Sequence, residues 1–510
     1  MSLEKFNAEP WKTSHSTYKE SALAISPAPE YASSEVLVAS LYRIIGYESV
    51  KEGSVPQAGA KLEQRLQKLR DKRQPAPEDA TLRVDTWNTV LHGVLESPKL
   101  PNQSSRRFLQ VTPLIPAVAL FSGSVRLRGN PWSPGSLIRR MVWLGSKDHG
   151  TASALWRDLF SALSVDEQDD VFARWLEQEI RAWDVHSPWQ LAPVPDSEVA
   201  NLAEDDFVNL QLMPAKQFTK DLRAIIQAKG SMTRRQWTSL LEAVLRLATV
   251  AHVTWLCDVQ AHTWRCVSET LAGRGPSNEK EARTQMFPES LQYMTYGGKA
   301  LNGFKDRASS YLAARLGINA LLWSLENIGT PYGGDISSSN GLAKLCQHIR
   351  DHQRALHAAD INSAIAEIRD RETRALSCNK GIGANLLEFV RHALGQRQTA
   401  VHLLRGYDQG YILKKKGSSP SSPWVVSLGP VAVLALVHCA LAEMGGPRSI
   451  HRLSQHLAAY GITVDRYDIA RNDLGHQLRM LGLVLDSPDA ESGMLLLPPF
   501  PVTKAADKYK

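Results

Sequence analysis

Apolar positions recur by threes and fours along most of this chain, the spacing of one helix face. The clearest run is RRQWTSLLEAVLRLATVAHVTWLCDVQAHTWRCVSETLAG, residues 234–273, which holds no glycine or proline until its end. Trp237, Leu241, Val244, Ala248, Ala251 and Trp255 form a single stripe, so the pattern predicts a long core helix. The same spacing predicts helices over 33–49, 58–73, 151–163, 164–183, 309–327, 341–358, 361–376 and 383–394. Ser164 followed by Glu167 reads as a capping box opening the helix 164–183. VRLRG (125–129), inside a stretch rich in proline and glycine, reads as a short strand. No fixed-period repeat is present, so the expected fold is mainly α, an irregular multi-helix array.

The pattern changes near the C-terminus. PWVVSL (423–428) reads as extended. Pro430 suits the first position of a helix running to about Met444, where Gly445-Gly446-Pro447 stops it. At about 22 Å that helix is too short to cross a bilayer core of about 30 Å. Ser449 caps a second helix over 449–461, and Asp465 a third over 466–482. The third carries the stripe Tyr467, Ala470, Leu474, Leu478 and Leu481, with Arg466, Arg471, Asn472 and Arg479 on its other face. LVLDSPDAESGMLLLPPF (483–500) reads as strand, polar turn, strand.

Helix, helix, turn, helix and hairpin over 425–500 resemble the winged-helix (helix-turn-helix) domain. The resemblance implies that the third helix enters a major groove and that the hairpin touches the backbone. It implies DNA contacts at Arg466, Arg471, Asn472 and Arg479, with phosphate contacts from Lys414, Lys415 and Lys416 in YILKKKG. Asp486, Asp489 and Glu491, in and beside the turn, oppose phosphate and favour a protein-docking role. The expected organisation is a flexible arm (1–34), a mostly helical domain (35–190) closed by the hinge HSPWQLAPVPDSE (186–198), and an all-helical domain (199–400). A basic linker (401–423), the winged helix (424–500) and a tail (501–510) follow.

Composition narrows function only partly. Lys and Arg number 59 against 52 Asp and Glu, a net charge of +7 that suits an anionic partner without requiring one. Five widely spaced cysteines argue for a reducing compartment, and the polar N-terminus has no apolar signal core. Further basic stretches beside aromatic or glycine residues place Arg126, Arg128, Arg139, Arg140, Arg234 and Arg235 among the DNA-contact candidates.

Catalytic signatures are weak. His252, Cys257, His262 and Cys266 are possible zinc ligands, but on one helix the outer pair stands about 21 Å apart. They read as core residues. YGGKALNG (296–303) and NKGIGANLL (379–387) lack a full phosphate-binding motif and read as turns that open helices. The acidic clusters DEQDD (166–170) and AEDDF (203–207) lack the flanking pattern of a nuclease. No catalytic residue, metal, cofactor, membrane span or small-molecule substrate is therefore expected.

The expected function is a non-catalytic, DNA-binding accessory subunit of a bacterial, cytoplasmic multi-protein system, with duplex DNA and other subunits as partners. Large helical proteins ending in a winged helix are similar in architecture to accessory components of anti-phage defence or restriction systems. The alternatives are a scaffold whose winged helix docks an ATPase or nuclease, and a nuclease with an acidic site assembled from distant segments.

Overall fold

The computed structural model describes residues 3–25, 34–50, 112–120, 133–182, 188–195, 210–377, 382–396, 410–443, 447–486 and 494–500, with Thr81, apart from positions 9, 11, 12, 49, 211, 300, 418, 420, 466–468 and 470. The predicted helix 58–73, the predicted strand 125–129 and the AEDDF cluster lie outside them. The described residues are mainly helical, with 17 α-helices among them and small sheets near the C-terminus.

In chain order the first helices are α1 (Leu3–Ala8), α2 (Ser16–Glu20), α3 (Ser34–Gly46), α4 (Pro134–Gly145), α5 (His149–Leu163), α6 (Val171–Arg181) and α7 (Pro214–Gln227). The central elements are α8 (Arg234–Leu271), α9 (Glu279–Met286), β1 (Met294–Thr295), α10 (Leu301–Asn327), α11 (Ser339–Asp351), α12 (Gln353–Ala358), α13 (Ile361–Ser377) and α14 (Ile382–Ala393). The last are β2 (Tyr411–Lys415), β3 (Trp424–Leu428), α15 (Pro430–Leu441), β4 (Arg448–Ser449), α16 (His451–Ala459), β5 (Ile462–Thr463), α17 (Asp473–Met480), β6 (Val484–Asp486) and β7 (Met494–Leu496).

Helix α8 is the axis of the molecule. Thr233 and Gln236 form a reciprocal capping box at its start. It packs against α3, α7, α9, α10, α11 and α15. From Leu240 to Cys257 every residue is buried, so this stretch has no solvent face for polar residues. Its threonines therefore turn inward on the helix itself: Thr249 Oγ1 donates to the Leu245 carbonyl at 2.7 Å, and Thr254 Oγ1 to that of Val250 at 2.7 Å. Among the described residues α8 alone is long and apolar enough to cross a membrane, and its most apolar stretch is wholly buried in protein.

The acidic run after α5 departs from the sequence expectation. Ser164 is the C-cap of α5, and the next helix, α6, starts only at Val171, capped by Asp170. The intervening acids have long-range partners. Asp166 and Asp169 pair with Lys229 at 2.9 and 3.1 Å, and Asp169 also faces Arg234 at 3.3 Å. Asp170 accepts from the first backbone N–H groups of two helices, at Ala173 and Arg234. These partners are scores of residues away, so no local pattern announces them.

The stretch expected as a hinge is partly a packed strap. Ala192 N donates to the Ile45 carbonyl at 2.9 Å, and the Trp189 ring stacks on Phe160 with centroids 4.9 Å apart. Trp189 rests on Gly46, where an added Cβ would fall 2.0 Å from the ring. Helices α10 and α11–α12 also differ from expectation, the first beginning at Leu301 and the second pair breaking at His352.

The segment expected as a basic linker carries β2, which pairs antiparallel with β3 from Tyr411↔Leu428 to Lys415↔Trp424. Residues 293–298 then stitch β3 to β5. Gly297 N donates to the Val426 carbonyl, Val426 N to that of Gly298, and β1 pairs parallel with β5. The Gly-Gly of YGGK is thus backbone geometry, with Gly297 at φ +75°. Among the described residues the buried apolar side chains form one cluster that includes Phe6 near one end and Leu496 near the other.

Candidate nucleic-acid interface

After β3 the chain runs helix, strand, helix, strand, helix, strand, strand: α15, β4, α16, β5, α17, β6, β7. Strands β4, β6 and β7 form an antiparallel sheet in the order β4-β7-β6, while β5 pairs with β1. Helix α17 is shorter than the predicted 466–482. It starts at Asp473 because the Asn472 side chain accepts from Leu474 N at 2.9 Å and Gly475 N at 3.1 Å. Leu474 and Leu478 face the core, while His476, Arg479 and Met480 are exposed.

The predicted contact residues separate into three groups. Arg126, Arg128 and Arg466 lie outside the described residues. A second group is set inward to different degrees, with Arg140 half-buried. Arg234 is 2% exposed; its guanidinium donates to the carbonyls of Leu114, Ala162, Leu163 and Ser164 and to Tyr42 Oη. Arg139 is buried, and loss of hydration lowers its pKa to about 10. Arg140 donates to the Ala24 carbonyl at 2.7 Å. Asn472 is half-buried, with its carboxamide oxygen engaged as a helix cap. The third group is at the surface: Arg235, Arg471, Arg479, Lys414 and Lys416 are exposed, and Lys415 is half-buried.

Two features tie the surface cations together. Strand β3, partner of the lysine strand β2, packs against α17, and Ser427 Oγ donates to Asp473 Oδ2 at 3.1 Å. Lys414 Nζ sits 4.8 Å from the Tyr411 ring centroid, a cation–π contact on the solvent side. Arg479 reaches the sheet, with Nη2 3.7 Å from Met494 Sδ.

A second polar cluster was not visible in the sequence. It lies where α7 meets α15 and α16. Asp221 is wholly buried; Tyr460 Oη donates to its Oδ2 at 2.6 Å and Gln217 Nε2 to its Oδ1 at 2.7 Å. The same Gln217 nitrogen stands 3.2 Å from His456 Nδ1, and His456 Nε2 lies 3.0 Å from Asp221 Oδ2. An amide nitrogen can only donate, so Nδ1 accepts from Gln217. Cys439 adjoins this pair, a combination that cysteine hydrolases use. Here its thiol points at the Asp221 carbonyl, 3.7 Å away, and burial together with the Asp221 charge raises its pKa well above the usual thiol value. It is a neutral, poorly nucleophilic thiol. The only sequence signal was polar residues at i, i+4 on amphipathic helices, Gln217/Asp221 and His456/Tyr460.

The four zinc-type residues of α8 are not assembled. His252 and Cys257 are wholly buried, and Cys266 donates to Gln285 Oε1 at 3.4 Å. Burial drives the Cys266 thiol up to about 12. Among the described residues no three His, Cys, Asp or Glu side chains come together to hold a metal. No protein-family model matches the chain, and no curated protein is significantly similar to it.

Proposed function

We propose that the protein is a non-catalytic DNA-binding component of a larger assembly, and that the unit from β2 to β7 contacts duplex DNA. The observation that carries this reading is the element order α15–β4–α16–β5–α17–β6–β7 with its three-stranded sheet, which resembles a winged helix. In that reading α17 lies in the major groove, with Arg471, His476 and Arg479 toward the DNA. Lys414 and Lys416, on the hairpin packed beside it, meet phosphates. Burial takes Arg139 and Arg234 off the expected basic surface.

Fluorescence anisotropy with a labelled duplex across a salt series tests this. Each phosphate contact contributes about 0.9 to the slope of log K against log salt. Replacing Lys414 and Lys416 with Ala lowers the slope by about 2 and weakens all sequences alike. Replacing Arg479 weakens binding in a sequence-dependent way. Absence of duplex binding at low salt ends the DNA reading.

One observation favours protein docking by the same unit. Met480, Leu485 and Leu495 are 74%, 51% and 38% exposed, and the two leucines pair across β6 and β7. In that reading Leu485→Glu and Leu495→Glu abolish recovery of a partner subunit while leaving DNA anisotropy unchanged.

A further inference from the structure

The junction of α7, α15 and α16 opens into a cleft of about 100 Å³, lined by Gln217, Lys220, Cys439, Glu443, Arg452 and Gln455 beside the His456 ring. We propose that this cleft binds a small oxyanion, a phosphate or a phosphate-bearing metabolite.

The argument starts from Arg452. It is half-buried and makes no hydrogen bond or ion pair among the described residues. A guanidinium drawn partly out of water without an acceptor loses hydration that nothing in the protein replaces. Lys220 lines the cleft from α7, and its one carboxylate partner, Glu443, stands 3.9 Å away with both side chains more than half exposed. Such a pair holds the lysine weakly. Two cations from two helices therefore line one open cleft, against the single acid Glu443 among its lining residues.

The floor is chemically closed. Asp221 already accepts from Tyr460 and Gln217 and lies beside the His456 ring, wholly buried, so its carboxylate does not compete for Lys220 or Arg452. Gln455 makes no hydrogen bond among the described residues and can donate to the ligand. An oxyanion between Lys220 and Arg452 supplies both with an acceptor, and guanidinium and phosphate geometries match. Because Lys220 belongs to α7 and Arg452 to α16, the ligand also clamps the C-terminal unit to the helical body.

Isothermal titration of the full chain tests this with inorganic phosphate and, separately, a nucleoside monophosphate. A Kd of about 1 mM or tighter is expected for at least one of them. Lys220→Met and Arg452→Met each weaken it at least about tenfold, and Glu443→Gln tightens it, while Lys416→Met on the distant hairpin leaves it unchanged. Unchanged melting temperatures of the unliganded variants show that the fold is intact. Phosphate binding lost in both variants identifies free phosphate as sufficient. Binding of the monophosphate alone, lost likewise, identifies a phosphate-bearing metabolite. No binding of either, or binding indifferent to Lys220 and Arg452, overturns the proposal. Neither outcome bears on DNA binding through α17.

Discussion

His252 gives the protein a pH liability that can be measured at one residue. It lies mid-way along α8, wholly buried, with its ring stacked on Trp255 at 5.7 Å and 15°. Neither ring nitrogen has a hydrogen-bond partner. Burial, reinforced by the nearby Arg140 charge, drives its pKa from 6.5 down to about 3. The folded protein therefore refuses a proton that the unfolded chain accepts. Above pH 6.5 both states hold a neutral ring and the site costs nothing. As pH falls below 6.5 the unfolded state gains stability, until the folded ring also titrates near pH 3. At about 1.4 kcal/mol per unit, about 2 kcal/mol is lost between neutral pH and pH 5, and about 5 kcal/mol over the full span. His262 and His438 are shifted in the same direction by burial, so the wild-type curve alone does not isolate His252. The comparison with His252→Leu does. Urea unfolding at neutral pH and at pH 5 is expected to show a loss larger by about 2 kcal/mol in the wild type than in the variant. Equal losses in the two proteins would refute the assignment of a partnerless neutral ring.

Three further outcomes follow from the interior contacts. Arg234→Met strands three or more carbonyl acceptors and Tyr42 Oη, and is expected to lower the unfolding free energy by about 3 kcal/mol in urea titration; a loss below about 1 kcal/mol would contradict its place in the core. At Gly461, φ is +78° and an added Cβ lies 2.3 Å from the Tyr293 ring, whereas Gly482, at φ +67°, faces open space. Thermal melts should therefore show Gly461→Ala costing about 1–2 kcal/mol more than Gly482→Ala, which carries backbone strain alone. Tyr460→Phe removes the 2.6 Å donor to buried Asp221 and should cost about 1–3 kcal/mol by urea midpoint, the ring volume being kept.

Much of the helical framework was legible because its causes are local. The stripe from Trp237 to Trp255 and the Thr233 cap specify α8 within a few turns of chain. The Gly429-Pro430 start likewise specifies α15, and the Pro-Gly limits of that helix exclude a bilayer span. Apolar spacing does not distinguish a helix half-exposed at a surface from one whose middle is buried among several neighbours.

That difference decided the candidate site. Arg234 and Arg235 are adjacent, and the sequence treats them alike. One points into the carbonyls that end α5 and the other into solvent, because a helix turns about 100° between successive residues. Lys414 to Lys416 looked like linker charge, since a two-strand hairpin pairing with residues 293–298 depends on a contact more than one hundred residues away. The buried set of Asp221, His456 and Tyr460 and the Lys220–Arg452 cleft arise the same way, from helices that meet only in the folded state. Local periodicity and capping determine which segments are helical. Whether an arginine meets water, a carbonyl or an open cleft is decided by which distant segment lands beside it, and the helical period of either segment alone carries no record of that partner.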